Sequence, residues 1–431
     1  MASDSDTVSS KSSGLSVPIL PFILITSLFF MWGLANNLTD TLLAAFKRIM
    51  SMSDFQTSWI QMAFYGAYFC LALPAAVFIK RFTYKSGVLL GLGLYIVGAL
   101  MFYPASFSMQ YGFFLASLYV LAGGLAFLET SCNPYIIAMG DEATGTQRLN
   151  LAQSFNPIGS ISGVIISKFY ILSQLNASGA EERAAMSAEQ LNNIQQAELG
   201  AVMGPYVTLG FVLLGIWLLI AFTKMPKAST ETTQINLWTT IKRLVKKKNY
   251  ALGVITQFFY VGAQICVWSF TIRYVMAELG VVEADASSYY IAALIVFTAF
   301  RFINTFLMKY VKPSSLLMGS ALLGVLATFI VIAGSGYVGV VALISISGFM
   351  SLMFPTIFGI ASQGLGEDTK IGSAGLIMAI GGGAALPALQ GMISDASGSI
   401  HISYWVPLVC FLVVAGYGLM SRKFDLATDA V

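Results

Sequence analysis

The sequence predicts an all-α membrane protein with twelve transmembrane helices in two six-helix bundles. Three observations carry that reading. Of 431 residues, 57% are hydrophobic and 10% charged, well outside the range of a soluble domain of this length. The apolar residues gather in twelve stretches long enough to cross roughly 30 Å of hydrocarbon, which takes about 20 residues each. Those stretches form two sets of six around one polar, basic segment, 224–249.

The first span, near 20–46, follows a Ser-rich tail, 1–19, that contains Asp4 and Asp6. The tail lacks the basic start and short apolar run of a cleaved signal peptide, so the span is expected to be retained. Spans near 57–79, 86–105, 110–138, 150–173 and 203–223 complete a first bundle, 20–223. The connection 174–200 is rich in Ala, Glu and Gln, which favours a short surface helix. Its Asn176-Ala177-Ser178 matches a glycosylation acceptor, a pattern too short to carry weight. The second bundle, 250–421, holds spans near 250–277, 287–309, 314–333, 337–362, 371–393 and 403–421, and 422–431 forms a second tail.

An even number of spans puts both termini on one side. With that side cytoplasmic, inner segments hold seventeen of the 23 basic residues, including Lys246, Lys247 and Lys248. Outer loops hold Lys47, Arg48 and Arg183. The excess of basic residues on cytoplasmic loops therefore places both termini inside. The net charge of +3 reflects this orientation and implies no nucleic-acid partner. Cys70, Cys132, Cys266 and Cys410 all fall in apolar spans, without the pairing of a metal site or a disulfide framework, and read as packing residues.

Helix breakers sit inside spans: Asn133-Pro134, Pro157 with Gly159, and Gly381-Gly382-Gly383 with Pro387. Such residues permit bends or close helix contact in membranes. The glycine triplet is no phosphate loop, because no strand precedes it and no Lys-Ser/Thr follows.

Asp40 and Glu129 lie within long apolar stretches. An ionised side chain at mid-bilayer costs about 2.5–3.5 kcal/mol or more, so acids kept there point to proton or ion handling. Trp32, Asn36 and Asp40 are spaced by four and share a helix face, with Asn37 beside them. Glu129 and Asn133 share a face in span four. Span five carries Asn150, Gln153 and Asn156, and span seven carries Gln257, Tyr260, Gln264 and Trp268. A single amide in a membrane helix serves interhelical hydrogen bonding. Several stripes together with two acids read instead as the wall of a polar cavity suited to a sugar, amides and carboxylates meeting hydroxyls and aromatic faces meeting the C–H side of the ring.

Arg301, deep in span eight, is a possible charge partner for either acid, whereas Arg273 and Lys168 can snorkel from helix ends. His401, the only histidine, lies in the last outer loop, so proton transfer falls to the carboxyls. No nucleophile with its base and no metal cluster is visible, so neither an enzyme nor a cofactor is expected and protons are the coupling ion. The other class weighed is a membrane sugar sensor without transport, against which the short tails argue.

The segments ANNLTDTLL, QMAFYGAYFCLALPA, FLETSCNPY, RLNLAQSFNPIGS, QFFYVGAQICVWSFTIRY and FPTIFGIASQGLGEDTKIGSAGLIMAIGGGAALPALQGMISDASG run from span one to span eleven. Together they resemble the fucose, glucose and galactose proton symporter group of major facilitator transporters. The resemblance implies a sugar and protons as partners in a bacterial inner membrane, with a functional monomer embedded in lipid. The group's two proton-linked acids match Asp40 and Glu129. Asn37, Asn133, Asn156 and Gln264 stand at positions of its polar cavity. Phe354, in FPTIF, replaces a Tyr of the fucose members and follows the glucose/galactose members, which in turn tend to carry Gln where this chain has Glu129. L-Fucose is the expected sugar, with galactose and glucose open.

Overall fold

In a bilayer every backbone polar group must be satisfied within its own segment, which leaves helices as the solution for a chain patterned like this one. The computed structural model describes residues 17–49, 54–108, 110–171, 182–183, 185–226 and 236–424. The side chains of Asp40, Lys11, Lys47, Arg48, Lys168 and Lys227, the acceptor pattern at 176–178 and most of both tails lie outside the described residues.

Four helices open the chain: α1 (Ile19–Ile49), α2 (Asp54–Arg81), α3 (Tyr84–Ser108) and α4 (Tyr111–Ala138). The fifth span is interrupted, with α5 (Gly145–Gln153) and α6 (Phe155–Ile166) meeting at Ser154 and a π-turn at Ser167–Ile171. Pro157 explains the break, because its ring displaces the carbonyl four residues earlier and it has no N–H to give. The first bundle closes with α7 (Ala188–Phe222).

The expected separate surface helix in 174–200 is corrected by α7, which runs unbroken from the outer connection into span six. Ser187 and Gln190 form a capping box at its start. The good helix formers after the cap meet no proline until they are already in the span. A buried ion pair, Arg183 to Glu198 at 2.9 Å, pins the preceding turn to it.

The basic connection contains α8 (Leu237–Lys246). The second bundle comprises α9 (Lys248–Leu279), α10 (Glu283–Leu307), α11 (Pro313–Ala333), α12 (Gly336–Met350), α13 (Met353–Ser362), α14 (Thr369–Met378), α15 (Gly382–Ser397), α16 (Ile400–Ser403) and α17 (Trp405–Ser421). Span ten breaks between α12 and α13, at Ser351 and Leu352, just ahead of Pro355. Span eleven breaks at a 3-10 turn, Ala379–Gly381, which leads into the glycine run. Among the described residues eleven helices are long and apolar enough to cross a membrane, and the interrupted fifth span is the twelfth crossing.

Inside the first bundle α3 packs on α4 and α7, and α1 on α6; in the second, α11 packs on α17, and α9 on α15 and α17. The α1–α6 crossing is a close one. A Cβ at Gly33 would overlap the Asn156 carbonyl, and one at Gly159 would overlap the Phe30 carbonyl. Lipid offers helices no hydrophobic drive to associate, so close backbone approach supplies the contact instead.

Several hydrogen bonds join the bundles in the half that carries the chain termini. Gln147 Nε2 donates to the Thr305 carbonyl (3.1 Å), Asn150 Nδ2 to Thr356 Oγ1 (3.2 Å), Ser373 Oγ to the Thr130 carbonyl (3.2 Å) and the Gly364 N–H to Glu142 (3.2 Å). Thr146 sits in a notch made by Gly359, where a Cβ would come 2.5 Å from the threonine oxygen. Valine at Gly359 should pry this layer apart. Overpacking costs about 1–3 kcal/mol, so the closed arrangement should lose roughly tenfold or more in population. In a Cys70→Ser background, a cysteine placed at Ser160 should then label more slowly from the side opposite the termini; an unchanged rate would show that the notch does not set the equilibrium.

Candidate functional site

A cavity of about 280 Å³ lies between the bundles, directly beyond that contact layer, close to the lower bound of roughly 300 Å³ for small-ligand pockets. Its lining runs along α10 from Arg301 to Tyr290, eleven residues or about 16 Å of helix rise. It is therefore a shaft with a floor at Arg301 and Glu129.

One wall comes from the first bundle. Trp32, Asn36 and Asn37 of α1 line it together, as the four-residue spacing predicted. Phe29 stacks on Trp32 with centroids 5.4 Å apart. From α2 come Tyr65 and Tyr68, and the Tyr68 hydroxyl faces both Glu129 and Trp32. Glu129 is 7% exposed, on a helix otherwise buried for two turns on either side. Gln153, Asn156, Pro157 and Ser160 complete this wall at the break between α5 and α6. The Asn156 amide donates to the Phe29 carbonyl (3.2 Å), which holds α6 against α1.

The second bundle supplies Gln264 and Trp268 from α9, Leu294, Phe297 and Arg301 from α10, and Phe354 from α13. Trp268 donates to Ser347 Oγ (3.3 Å) and meets Phe297 edge-on at 5.1 Å. These bonds fix the indole plane against the cavity. Aromatic faces on both walls thus flank a ring of amides, an arrangement that can hold a polyhydroxylated ring from its apolar faces and its rim at once.

Arg301 sits with its guanidinium 4.6 Å from the Phe297 centroid. Its Nε donates to the Ser351 carbonyl (2.5 Å) and its Nη1 to the Gln153 carbonyl (3.1 Å). The second bond crosses between bundles. Among the described residues its partners are carbonyls on both sides of the interface, and a pairing with Asp40, whose side chain lies outside the described residues, is a separate matter. Cation–π contact and two carbonyl dipoles make up part of the desolvation cost of burying that charge.

Of the other residues expected in the cavity wall, four line no part of it in this arrangement, the first being Asn150, whose amide donates to Thr356 in the contact layer. Asn133 is buried behind Gln153, whose Nε2 donates to Asn133 Oδ1 (2.9 Å). Tyr260 donates to the Met350 carbonyl (3.1 Å) from a fully buried position. Gln257 is likewise fully buried, with neither amide atom bonded to another protein atom among the described residues. Asp40 lies one turn beyond Asn36 on α1, and its side chain is outside the described residues. Sequence reasoning did not single out Tyr65, Tyr68, Tyr290, Phe297 or Ser160. The available signal was the Tyr65/Tyr68 pair at helical spacing on a span that must face Glu129.

The chain matches the family model of the Major Facilitator Superfamily over residues 22–386. It is 45% identical to the L-fucose-proton symporter of Haemophilus influenzae over 94% of this chain and 97% of that protein. It is 33% identical to the glucose/galactose transporter of Brucella abortus, over 97% of both chains. Among solved structures it superposes on FucP, a Major Facilitator Superfamily transporter captured in the outward conformation, with a TM-score of 0.89 at 37% identity, covering 94% of this chain and 99% of that one. The proton:xylose symporter XylE, at 12% identity and a TM-score of 0.71 over 95% and 96% of the two chains, shares the fold. With two bundles, a central cavity and these similarities over nearly its whole length, the chain belongs to the Major Facilitator Superfamily.

Proposed function

We propose that the protein is a proton-coupled symporter that imports L-fucose or a related hexose by alternating access across a bacterial inner membrane, with both termini cytoplasmic. It works as a monomer without a cofactor. The observation that carries this is a shaft lined by amides and aromatic rings that holds a buried carboxyl, Glu129, with hydrogen bonds joining the bundles on the side of the termini. The names borne by its Haemophilus and Escherichia coli relatives, at 45% and 37% identity, support a fucose substrate.

In this arrangement the cavity faces outward and the hydrogen bonds between α4, α5, α13 and α14 hold the cytoplasmic side shut. Protonation of the acids outside removes the charges that a closing, drying cavity would otherwise have to strand. The loaded, neutral carrier then rocks, the inner layer parts, and loss of the proton to the cytoplasm helps release the sugar. Asp40 is the main proton carrier, beside its own amide stripe. Glu129 changes from hydrogen-bond donor to acceptor on ionisation and so makes sugar binding depend on the proton.

A glucose or galactose substrate is the second reading. Phe354 in the cavity wall favours it, because a ring without a hydroxyl suits a different placement of sugar oxygens.

The test uses proteoliposomes. Wild type should acidify its lumen on addition of L-fucose and concentrate labelled sugar against a gradient. Asp40→Asn should abolish accumulation while sugar exchange persists. If that variant still concentrates sugar, Asp40 is not the carrier; if no hexose of a panel that includes fucose, galactose and glucose moves protons into wild-type vesicles, the symporter reading fails.

A further inference from the structure

The connection between the bundles carries a helix whose outward face the transport cycle does not use. α8 starts where the Asn236 side chain accepts from the Thr239 N–H (3.2 Å) and ends at Lys246. The membrane-spanning α9 begins at Lys248. With one residue between them, α8 lies at the level where the chain enters hydrocarbon.

At 100° per residue, Leu237, Thr240, Ile241 and Leu244 share one sector of α8. Thr240 and Leu244 are buried, and Leu237 and Ile241 pack against the core beside them. The apolar sector does not end there. It continues around the helix to Val245 and Trp238, which are 62% and 66% exposed. Next along the same arc come Lys242 and Lys246, both exposed, with Lys242 Nζ 5.3 Å from the Trp238 ring centroid. Lys248, the first residue of α9, is also exposed.

The helix cannot roll this stripe out of view. On its far side Arg243 donates through Nε and Nη2 to the two Asp368 oxygens at 2.6 and 2.5 Å, and Lys247 donates to the Gly364 carbonyl at 2.8 Å. Half of the apolar sector is therefore packed on the protein and half is held outward, flanked by lysines. A helix of that pattern lies in the plane of the headgroups, and Trp is at home at that depth. Neutral headgroups would accept Trp238 and Val245 but gain nothing from the lysines. Headgroups with a net negative charge gain from both.

We propose that the face of α8 formed by Trp238, Lys242, Val245 and Lys246 docks on anionic phospholipid headgroups of the leaflet that α9 enters. The docked helix is tied through Asp368 to the start of α14, whose Ser373 bonds across the bundle contact. Lipid charge thereby bears on an element of the inner seal.

The whole protein in liposomes tests this by fluorescence quenching with brominated acyl chains, offered either as phosphatidylglycerol or as phosphatidylcholine. The difference between wild type and Trp238→Phe isolates the Trp238 signal. Brominated phosphatidylglycerol should quench that signal at a lower mole fraction than brominated phosphatidylcholine. Lys242→Gln and Lys246→Gln should each reduce the preference about fivefold, and raised salt should reduce it in the wild type. Unaltered sugar exchange in neutral vesicles would verify that both variants fold. Equal quenching by the two lipids, an unchanged preference in both lysine variants, or no quenching at all, as expected for a face covered by a second copy or left in water, would each overturn the proposal.

Discussion

Replacing Glu129 with Gln should leave sugar exchange within about tenfold of wild type and eliminate proton-driven accumulation. Gln has nearly the shape of a protonated Glu and keeps a donor and an acceptor, so it holds the loaded, neutral state permanently. The Tyr68 hydroxyl and the aromatic wall lose little. What is lost is the second state, the anion, whose poor fit in a buried cavity is what links the proton to the sugar. One pH unit across the membrane is worth about 1.4 kcal/mol per proton, or tenfold in accumulation for each proton coupled. Wild type should therefore reach about a tenfold gradient per coupled proton, and Glu129→Gln should stop at equality. Tyr68→Phe removes a neighbour and leaves the acid in place, so it should shift the pH at which uptake is half-maximal without abolishing accumulation. Were Glu129→Gln to accumulate as well as wild type, the carboxyl would be a packing group and coupling would rest on Asp40 alone.

The twelve crossings were legible in the sequence because hydrocarbon thickness sets one length and tolerates few charges. Which crossings break was not. Pro157 and Pro355 adjoin breaks, whereas Pro74, Pro104, Pro134 and Pro205 sit inside continuous helices. In a membrane, neighbouring groups can satisfy the carbonyl that a proline frees, so the outcome depends on packing that the local sequence does not contain.

The candidate site shows the same division. Spacing assigns a residue to a face of its helix, and on α1 that was enough to bring Trp32, Asn36 and Asn37 to the cavity. Depth along the axis is a separate quantity. Gln257, Tyr260 and Gln264 share a face of α9, but Gln257 lies about 10 Å nearer the termini than Gln264, within the layer where the bundles are closed on each other. Gln264 reaches the cavity and Gln257 does not. Tyr65, Tyr68 and Tyr290 escaped notice for another reason. In an apolar span a tyrosine reads as packing, and only the approach of α2 to Glu129 gives its hydroxyl a role.

The α1–α6 crossing yields the largest structural prediction. Because a side-chain carbon at Gly33 or at Gly159 would overlap a backbone carbonyl of the facing helix, neither site can be relieved by a rotamer change. The helices must separate. Gly33→Ala or Gly159→Ala alone should cost about 1–3 kcal/mol, and Leu at either site should abolish folded protein in the membrane. Separation for one substitution also makes room for the other, so the double alanine variant should be less damaging than the summed singles, a coupling of about 0.5–3 kcal/mol for residues sharing one contact. Thermal denaturation in detergent would measure both terms. The same crossing carries Trp32 on one helix and Asn156 on the other into the cavity, so the alanine variants should weaken sugar binding in step with their loss of stability. Strict additivity would mean that the two overlaps are relieved by separate local bends, and the cavity wall would then keep its spacing while each helix deforms on its own.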